Sequence, residues 1–288
     1  MGSTTTPPLE SGWLRDTPVE DTLLRRFVHN QAAHNGVLAD AHGGRAHRAD
    51  GVFLTDTGSP VPFLNQAVLA RPLTGLDDDV LDRVDSFFDP VDNATLLSIW
   101  PTPDLTARGW SLIGHPAVVA RSPAPLAHYD APAVQVRRAA TAADFEAAER
   151  IVVEGYPLDE ARHGPVGSVL PPALAGTDLE VRVGVLDGDP VGVGNVFVAQ
   201  GLVNLSLGAT LPAARRRGVW EALVWARVAT APDLPAIAYT SDLSRPGFIR
   251  MGFLPLTRFT LWARGRPPAR LAAALPSVRR GTARGDRT

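Results

Sequence analysis

Two short segments of this chain are echoed about 130 to 138 residues later, and this repetition limits the folds that the chain can adopt. Residues 104–114 read DLTARGWSLIG, and residues 242–252 read DLSRPGFIRMG. Upstream of these, GSPVPFLN at 58–65 matches GDPVGVGN at 188–195. Chance could explain either pair of matching segments alone, but it explains both pairs less well. Two echoes in the same order therefore predict a duplicated architecture of two similar lobes.

The boundary between the lobes is expected within residues 122–133, which read SPAPLAHYDAPA. This stretch contains three prolines and no hydrophobic periodicity, as is typical of a linker. The arginine-rich C-terminal end is expected to be a solvated tail, with binding of an acidic partner as the alternative. The predicted order is a disordered leader, an N-terminal lobe, a linker, a C-terminal lobe and a basic flexible tail, at 1–16, 17–124, 125–133, 134–265 and 266–288.

The composition excludes several classes of function. The 288 residues are 45% hydrophobic and 20% charged, which suits a globular core. Thiol catalysis is excluded because there is no cysteine, and a lysine Schiff base is excluded because all 28 basic residues are arginine. The net charge of −2 argues against non-specific binding of nucleic acid. No apolar run is long enough to span a membrane and the N-terminus lacks a secretory core, so we expect a cytoplasmic protein without nucleic-acid or membrane partners.

The C-terminal half has a well-defined order of predicted elements. Alternation predicts a strand at 134–138, and Thr141 with Asp144 forms a capping box for a helix up to Gly155. Three meandering strands follow, and an Asp-Gly-Asp-Pro turn joins the first two. The strands are expected at 179–187, 190–199 and 202–210. After a loop at 211–218, the pattern predicts a helix to about Thr230, a strand at 235–241, a short helix at 244–251 and a last strand at 255–263.

The N-terminal half is predicted to be a trimmed version of the C-terminal half. It is expected to contain a helix at about 20–41, strands near 50–56 and 62–70, a helix at 77–88, a strand at 94–100 and a further segment at 110–121. The two halves together predict an α+β fold of two lobes, each a mostly antiparallel twisted sheet flanked by helices.

The segment 205–225, LSLGATLPAARRRGVWEALVW, carries the strongest chemical signal. A strand leads into a loop, and the loop leads into a helix whose first turn follows three arginines and a glycine. The first amides of a helix have no intrahelical acceptor, and the helix dipole adds positive charge there. Such a strand–loop–helix start favours binding of an anion, and a pyrophosphate suits it.

The same segment resembles the Gcn5-related N-acetyltransferases, whose hallmark is R/Q-x-x-G-x-G/A directly after the fourth strand. Arg215, Gly218 and Trp220 occupy the fixed positions of this motif. The resemblance covers about 134–264 and includes the order of elements, the ending FIRMGF at 248–253, and IVVEGYP at 151–157 on the acceptor side.

The resemblance implies a binding mode for acetyl-CoA, with no metal. The backbone of Gly208, Ala209 and Thr210 would pair with the pantetheine arm like an added strand. The loop and first helical turn would hold the pyrophosphate through Arg215, Arg216, Arg217, Gly218, Val219, Trp220 and Glu221. The N-terminal lobe has Asp77, Asp78 and Asp79 at the corresponding place, so we expect a degenerate half that has lost its cofactor.

Two residues depart from the family pattern. Trp220 stands where the family has Gly or Ala, and its indole either points away along the helix or crowds the phosphates. Phe248 stands where many members have a tyrosine that protonates the leaving thiolate, and a phenyl ring cannot donate a proton.

The candidates for proton transfer are Asp242, Glu154 and Tyr156. Asp242 follows the fifth strand of the lobe and is alternatively a cap for the next helix. Glu154 and Tyr156 end the first helix of the lobe and either face the acceptor or are ordinary surface residues. Tyr239 is expected in the core, and Asn204 and Ser206 either face the cleft or are ordinary strand residues. The histidines show no metal-binding pattern, since His29 and His34 lack the glutamate of H-E-x-x-H.

These observations predict an N-acetyltransferase that moves an acetyl or longer acyl group from acetyl-CoA to a primary amine of a small molecule or peptide by direct attack. The alternatives are a non-catalytic acyl-CoA-binding or regulatory protein of the same fold, and a structural dimerisation protein without a ligand. The expected partners are a CoA thioester and an amine acceptor, and the exposed face of the trimmed lobe leaves room for a homodimer.

Overall fold

The computed structural model describes residues 22–91, 93–123, 133–156 and 158–265. The predicted leader, most of the predicted linker and the predicted tail lie outside these ranges. Within them, no helix combines the length and the apolar character that crossing a membrane requires. The helices of these ranges are α1 (Leu23–His42), α2 (Asp79–Phe88), α3 (Ala142–Gly155), α4 (Val219–Val228) and α5 (Arg245–Arg250).

The first six strands come from the N-terminal half and the other seven from the C-terminal half. The former are β1 (Arg45–Ala49), β2 (Val52–Asp56), β3 (Gln66–Leu69), β4 (Ala94–Ser98), β5 (Trp110–Gly114) and β6 (Ala117–Arg121). The latter are β7 (Val134–Arg138), β8 (Leu179–Leu186), β9 (Asp189–Ala199), β10 (Leu202–Thr210), β11 (Ala236–Thr240), β12 (Leu254–Arg258) and β13 (Thr260–Arg264).

The strands form two sheets of six and seven strands, and the second follows the strand order of the first with one extra strand at one edge. The first sheet has the order β1-β2-β3-β4-β13-β5, and the second has the order β7-β8-β9-β10-β11-β6-β12. Each contains one parallel pair, β3 with β4 and β10 with β11, whereas the remaining neighbours are antiparallel. The predicted α+β class and the two mostly antiparallel lobes are therefore confirmed.

The two sheets exchange their last strands. In the first sheet, β13 lies between β4 and β5, and in the second, β6 lies between β11 and β12. Each exchanged strand occupies the same position in the other lobe, so the pair is related like the arms of a swapped dimer. The sheets consequently do not coincide with the sequence segments 17–124 and 134–265, although those bounds stay a prediction for the domains.

The C-terminal end of the described chain differs from the prediction of one strand at 255–263. The chain forms β12, passes Phe259 and forms β13 in the other sheet. Phe259 is fully buried and stacks on Phe27 of α1 with ring centroids 5.5 Å apart. The change of sheet places this aromatic anchor in the core cluster shared by residues of both lobes.

The sequence echo at 104–114 and 242–252 does not give the same local structure. Gly109 adopts a left-handed conformation with φ 82° and ends a short 3-10 turn, so Trp110 can begin β5. Gly247 instead lies inside α5, which has a proline in its first turn. The duplication is therefore one of topology, whereas the matching letters form different elements.

Local signals place α3 where the sequence predicts it. The Thr141 side chain accepts a hydrogen bond from the amide of Asp144, and the Asp144 carboxylate accepts from the amide of Thr141. This capping box satisfies donors that the first turn would otherwise leave free. The predicted turn between β8 and β9 also forms, with positive φ at both Asp187 and Gly188.

Candidate functional site

The parallel strands β10 and β11 diverge soon after they begin. Their pairing is limited to Val203 with Ala236 and Asn204 with Ile237, although β10 continues to Thr210. On its other side β10 pairs with β9 and has a bulge between Ser206 and Ala209, where the register shifts. Beyond Asn204, the edge of β10 that faces β11 is therefore not paired with a described strand. The divergence creates a gap at the centre of the second sheet.

The loop after β10 leads into an α4 terminus without a side-chain cap. Arg216 and Gly218 have φ of 64° and 81°, and Gly218 is the N-cap residue of the helix. The first helical hydrogen bond after this cap runs from the amide of Ala222 to the carbonyl of Gly218. No side chain accepts a hydrogen bond as the cap of this helix start. The positive end of the helix dipole therefore lies at the loop, and anion binding there stays a prediction.

The three arginines of the loop have different surroundings. Arg215 donates to the carbonyls of Thr210 at 3.3 Å and Gly155 at 3.0 Å, so it ties the loop to β10 and to the end of α3. Arg217 forms an ion pair with Asp187 at 2.7 Å. Arg216 is exposed and makes no hydrogen bond or ion pair with a described residue. Of the three guanidinium groups, that of Arg216 is the one already available for a ligand.

The indole of Trp220 spans the space between β10 and α5. Its six-membered ring packs against Gly247, where an added Cβ would lie 2.6 Å from Cζ3, and it meets Phe248 edge-on with centroids 4.9 Å apart. Its Nε1 lies 3.7 Å from the position of a Cβ on Gly208. The ring therefore lies between Gly208 of β10 and α5 rather than pointing away along the helix, and it fills part of the space beside the bulge.

Tyr156 brings a hydroxyl group to the bulge. As the C-cap residue of α3, it donates a hydrogen bond of 2.9 Å to the carbonyl of Gly208. The ring is 43% exposed, whereas desolvation around the hydroxyl group raises the pKa of Tyr156. The structure thus brings one predicted catalytic residue together with the predicted cofactor strand.

The other two predicted catalytic residues, Asp242 and Glu154, are carboxylates that form ion pairs with arginines. Asp242 forms a hydrogen-bonded ion pair of 2.7 Å with Arg258, and this bond lowers the pKa of Asp242. It does not cap α5, whose N-cap residue is Ser244. Glu154 is exposed and lies 3.5 Å from Arg150 in an ion pair one turn earlier. Their catalytic roles stay predictions.

Arg227 of α4 is a site residue that the sequence analysis did not identify. Its side chain is 1% exposed, and it donates from Nε to the carbonyl of Leu223 and from Nη1 to the carbonyls of Asn195 and Ser206. Burial lowers the pKa of Arg227 to about 10. The available sequence signal was Gly194, because an added Cβ there would lie 2.6 Å from the guanidinium carbon.

The opposite face of β10 packs on α1 through a buried polar network. His34 makes hydrogen bonds of 2.9 Å with the hydroxyl of Ser206 and 3.0 Å with the side-chain oxygen of Asn35. Burial lowers the pKa of His34 to about 4, so the ring is neutral near pH 7. Asn204 donates to the side chain of Asn30 at 2.8 Å. Ser206 and Asn204 therefore connect the two lobes.

Tyr239 of β11 packs against Phe259 with ring centroids 5.5 Å apart. Burial, followed by the charge of Tyr156, raises the pKa of Tyr239 to about 12. The expected core position of Tyr239 agrees with this partly buried environment.

The start of α2 in the first lobe is occupied by its own acid. Asp78 caps the helix through the amide of Val80 and forms a two-pronged ion pair with Arg71 at 2.7 and 2.8 Å. The Arg71 hydrogen bond holds the pKa of Asp78 well below its usual range. A phosphate cannot take this place without displacing the carboxylate. Among the described residues, no group of three or more metal-ligand side chains occurs in either lobe.

The topology and its similarity to solved structures define the class of protein: the chain has the fold of the Gcn5-related N-acetyltransferases. One similar solved structure is a Gcn5-related N-acetyltransferase from Kribbella flavida, which is 20% identical in sequence. The match has a TM-score of 0.57 and covers 84% of this chain and 97% of that one. A conserved protein of unknown function from Staphylococcus epidermidis is 10% identical, with a TM-score of 0.56 over 77% and 93% of the two chains.

A GNAT-family protein from Novosphingobium aromaticivorans is 14% identical, with a TM-score of 0.53 over 77% of this chain and 92% of that one. No protein-family model matches the sequence, and no curated protein matches it. At these low sequence identities, the structural similarity establishes the fold of this chain alone.

Proposed function

We propose that this protein transfers an acyl group, with acetyl as the simplest case, from acyl-CoA to a primary amine of a small molecule or peptide. The observation that carries the proposal is the start of α4, which has no side-chain cap, beside the exposed Arg216 and next to the gap between β10 and β11. Backbone amides and a guanidinium group are suited to a pyrophosphate. The proposal is supported by the fold shared with a protein named as a Gcn5-related N-acetyltransferase.

The pantetheine arm is proposed to lie along the free edge of β10. Gly208, Ala209 and Thr210 lie beyond the last residues that pair with β11, so this edge has room for an added strand-like ligand. The thioester would then reach the bulge, where Tyr156 contacts Gly208. Arg215 contributes indirectly, since it holds the loop against β10.

The proposed reaction is a direct attack. The neutral amine nitrogen forms a bond to the thioester carbonyl carbon and releases a proton to solvent water. The carbon–sulfur bond breaks, and the sulfur leaves as a thiolate that takes up a proton. Tyr156 is the proposed proton donor because its hydroxyl lies at the bulge and its raised pKa keeps it protonated. Asp242 is a weak base in its ion pair, because the pKa of this carboxylate is lowered.

A second proposal is an acyl-CoA-binding protein that does not perform transfer. The packing of Trp220 on Gly247 and Phe248 favours it, because the indole occupies space beside the bulge and the phenyl ring provides no proton. The two proposals differ in turnover and agree in cofactor binding.

Calorimetric titration with CoA and acetyl-CoA tests the shared part of both proposals. Arg216→Ala is expected to weaken CoA binding about 10-fold, because it removes a charge-assisted contact to phosphate without breaking a contact within the described protein. The effect should shrink as salt is added. Arg83→Ala, on α2 of the other lobe, is the charge-matched control and should leave the affinity unchanged.

Release of free thiol across a panel of amines separates transfer from binding alone. Binding with thiol release supports the enzyme, and binding without release over the whole panel supports the second proposal. Affinity that is equal in wild type, Arg216→Ala and Arg83→Ala would refute the proposed phosphate site.

A further inference from the structure

Two N–H groups of α4 lie near the same point beside the bulge, and neither has a hydrogen-bond partner among the described residues. Nη2 of Arg227 lies 3.3 Å, and Nε1 of Trp220 lies 3.7 Å, from the position that a Cβ on Gly208 would occupy. The two residues are seven apart on α4, so they share one face of the helix. Neither nitrogen donates to a residue in the described ranges. The absence of a side chain at Gly208 lets both donors lie close to the strand, since an added Cβ would come within 3.3 Å of Nη2.

Arg227 brings a buried positive charge that no acid balances within the described chain. The Arg227 contacts are three backbone carbonyl oxygens, and no carboxylate pairs with it. A buried charge is costly unless a counter-charge and complete hydrogen bonding compensate it. Carbonyl dipoles satisfy Nε and Nη1, whereas Nη2 is the part of the group directed at the bulge.

An anion with two acceptor atoms matches this arrangement. A guanidinium N–H binds a carboxylate oxygen strongly, and the indole N–H is a donor that cannot accept. The surroundings select against a positively charged ligand group. A neutral ligand would leave the Arg227 charge uncompensated.

We propose that Arg227 and Trp220 form a binding site for a carboxylate carried by one of the reactants, most directly the terminal carboxylate of a dicarboxylic acyl thioester. This inference rests on the proposed function, which places the acyl group at the bulge beside Gly208. Trp220 then has a role other than obstruction, because its indole forms one wall of the acyl site and supplies a donor. The carboxylate of an amino-acid acceptor offers the same chemistry from a second source.

A pair of stable thioether analogues tests the acyl source. S-(2-carboxyethyl)-CoA and S-propyl-CoA have chains of equal length and differ in the terminal carboxylate. The carboxylate analogue is expected to bind wild type at least about 10-fold more tightly, as a charge-assisted hydrogen bond predicts. The acceptor source is tested by comparing the affinities of glycine and methylamine for the CoA complex, because these amines differ in the carboxylate.

Two variants assign the preference to the proposed donors. Trp220→Phe keeps an aromatic ring and removes the N–H, whereas Arg227→Met keeps much of the stem and removes the charge. Each should reduce the preference for the carboxylate to within about 3-fold while leaving the affinity for S-propyl-CoA nearly unchanged. Arg216→Ala, at the phosphate loop, should weaken both analogues equally. Trp220→Phe keeps the test decisive if Arg227→Met does not fold.

Equal binding of both analogues and of both acceptors by wild type would overturn the inference, as would a preference that persists in Trp220→Phe. Failure of the proposed function has a different signature, namely that neither thioether binds. In that case, the melting temperature measured with free succinate and with neutral succinamide tests the carboxylate site alone. Stabilisation by succinate that is lost in Trp220→Phe would support the site. Equal effects of the two compounds would refute it.

Discussion

Trp262→Ala tests the strand exchange, because Trp262 belongs to the C-terminal end of the chain but packs in the first lobe. Its side chain is 4% exposed, lies in the cluster with Trp110 and Leu96, and donates from Nε1 to the hydroxyl of Thr102 at 2.8 Å. Truncation of a buried tryptophan costs about 3–5 kcal/mol, and the lost hydrogen bond costs about 1 kcal/mol. We therefore expect the free energy of unfolding to fall by about 4–6 kcal/mol.

Urea denaturation measures this loss, and hydrogen exchange followed by mass spectrometry locates it. Protection should fall first in β4 and β5, the strands that flank β13 in the first sheet. Leu256→Ala is the control in neighbouring β12, and it should cost less than about 1 kcal/mol because Leu256 is 40% exposed. A loss below about 1 kcal/mol for Trp262→Ala, or lowered protection limited to β11 and β6, would refute the exchange of strands.

Two further predictions concern the site and its support. His34 has a folded-state pKa of about 4 against about 6.5 when unfolded, so the unfolded chain binds the proton more readily between these values. Stability should be full above pH 6.5 and fall by about 3 kcal/mol as the pH decreases to 4, and His34→Gln should flatten this slope. The exposed His47→Gln is the control, and a slope unchanged by His34→Gln in urea titrations across this range would contradict the assignment. Tyr156→Phe removes the hydroxyl at Gly208 and should lower kcat about 100-fold with the Kd for CoA unchanged. Steady-state rates and calorimetry measure both quantities, and a parallel loss of binding would indicate a structural role for the hydroxyl.

Local signals in the sequence predicted where helices and turns lie better than they predicted which strands pair with each other. The capping box at Thr141 and the Asp-Gly turn after β8 depend on neighbouring residues, so they could be found from the sequence. The exchange of β6 and β13 depends on which sheet offers an open edge, which a strand pattern does not contain. The residues at 255–263 were predicted to form one strand, whereas the change of sheet at Phe259 divides them into two strands.

The site follows the same division. The helix start at Gly218 was predictable because strand, loop and helix are contiguous in the sequence. Arg227 was missed because its burial depends on Gly194, on a strand that is distant in sequence and adjacent in space. The direction of the Trp220 indole likewise depends on Gly247, whose missing side chain makes room for the ring.

The exchanged strands also set the order in which the protein can be completed during synthesis. Ser98 of β4 leaves the ribosome long before Thr260, its partner in β13. Until then, apolar residues of β4 and β5 lack the strand that separates them, which leaves edges open to association with other nascent chains. Such distant pairing implies high contact order and slow folding, so we expect the two halves to mature as one cooperative unit with a period of chaperone dependence.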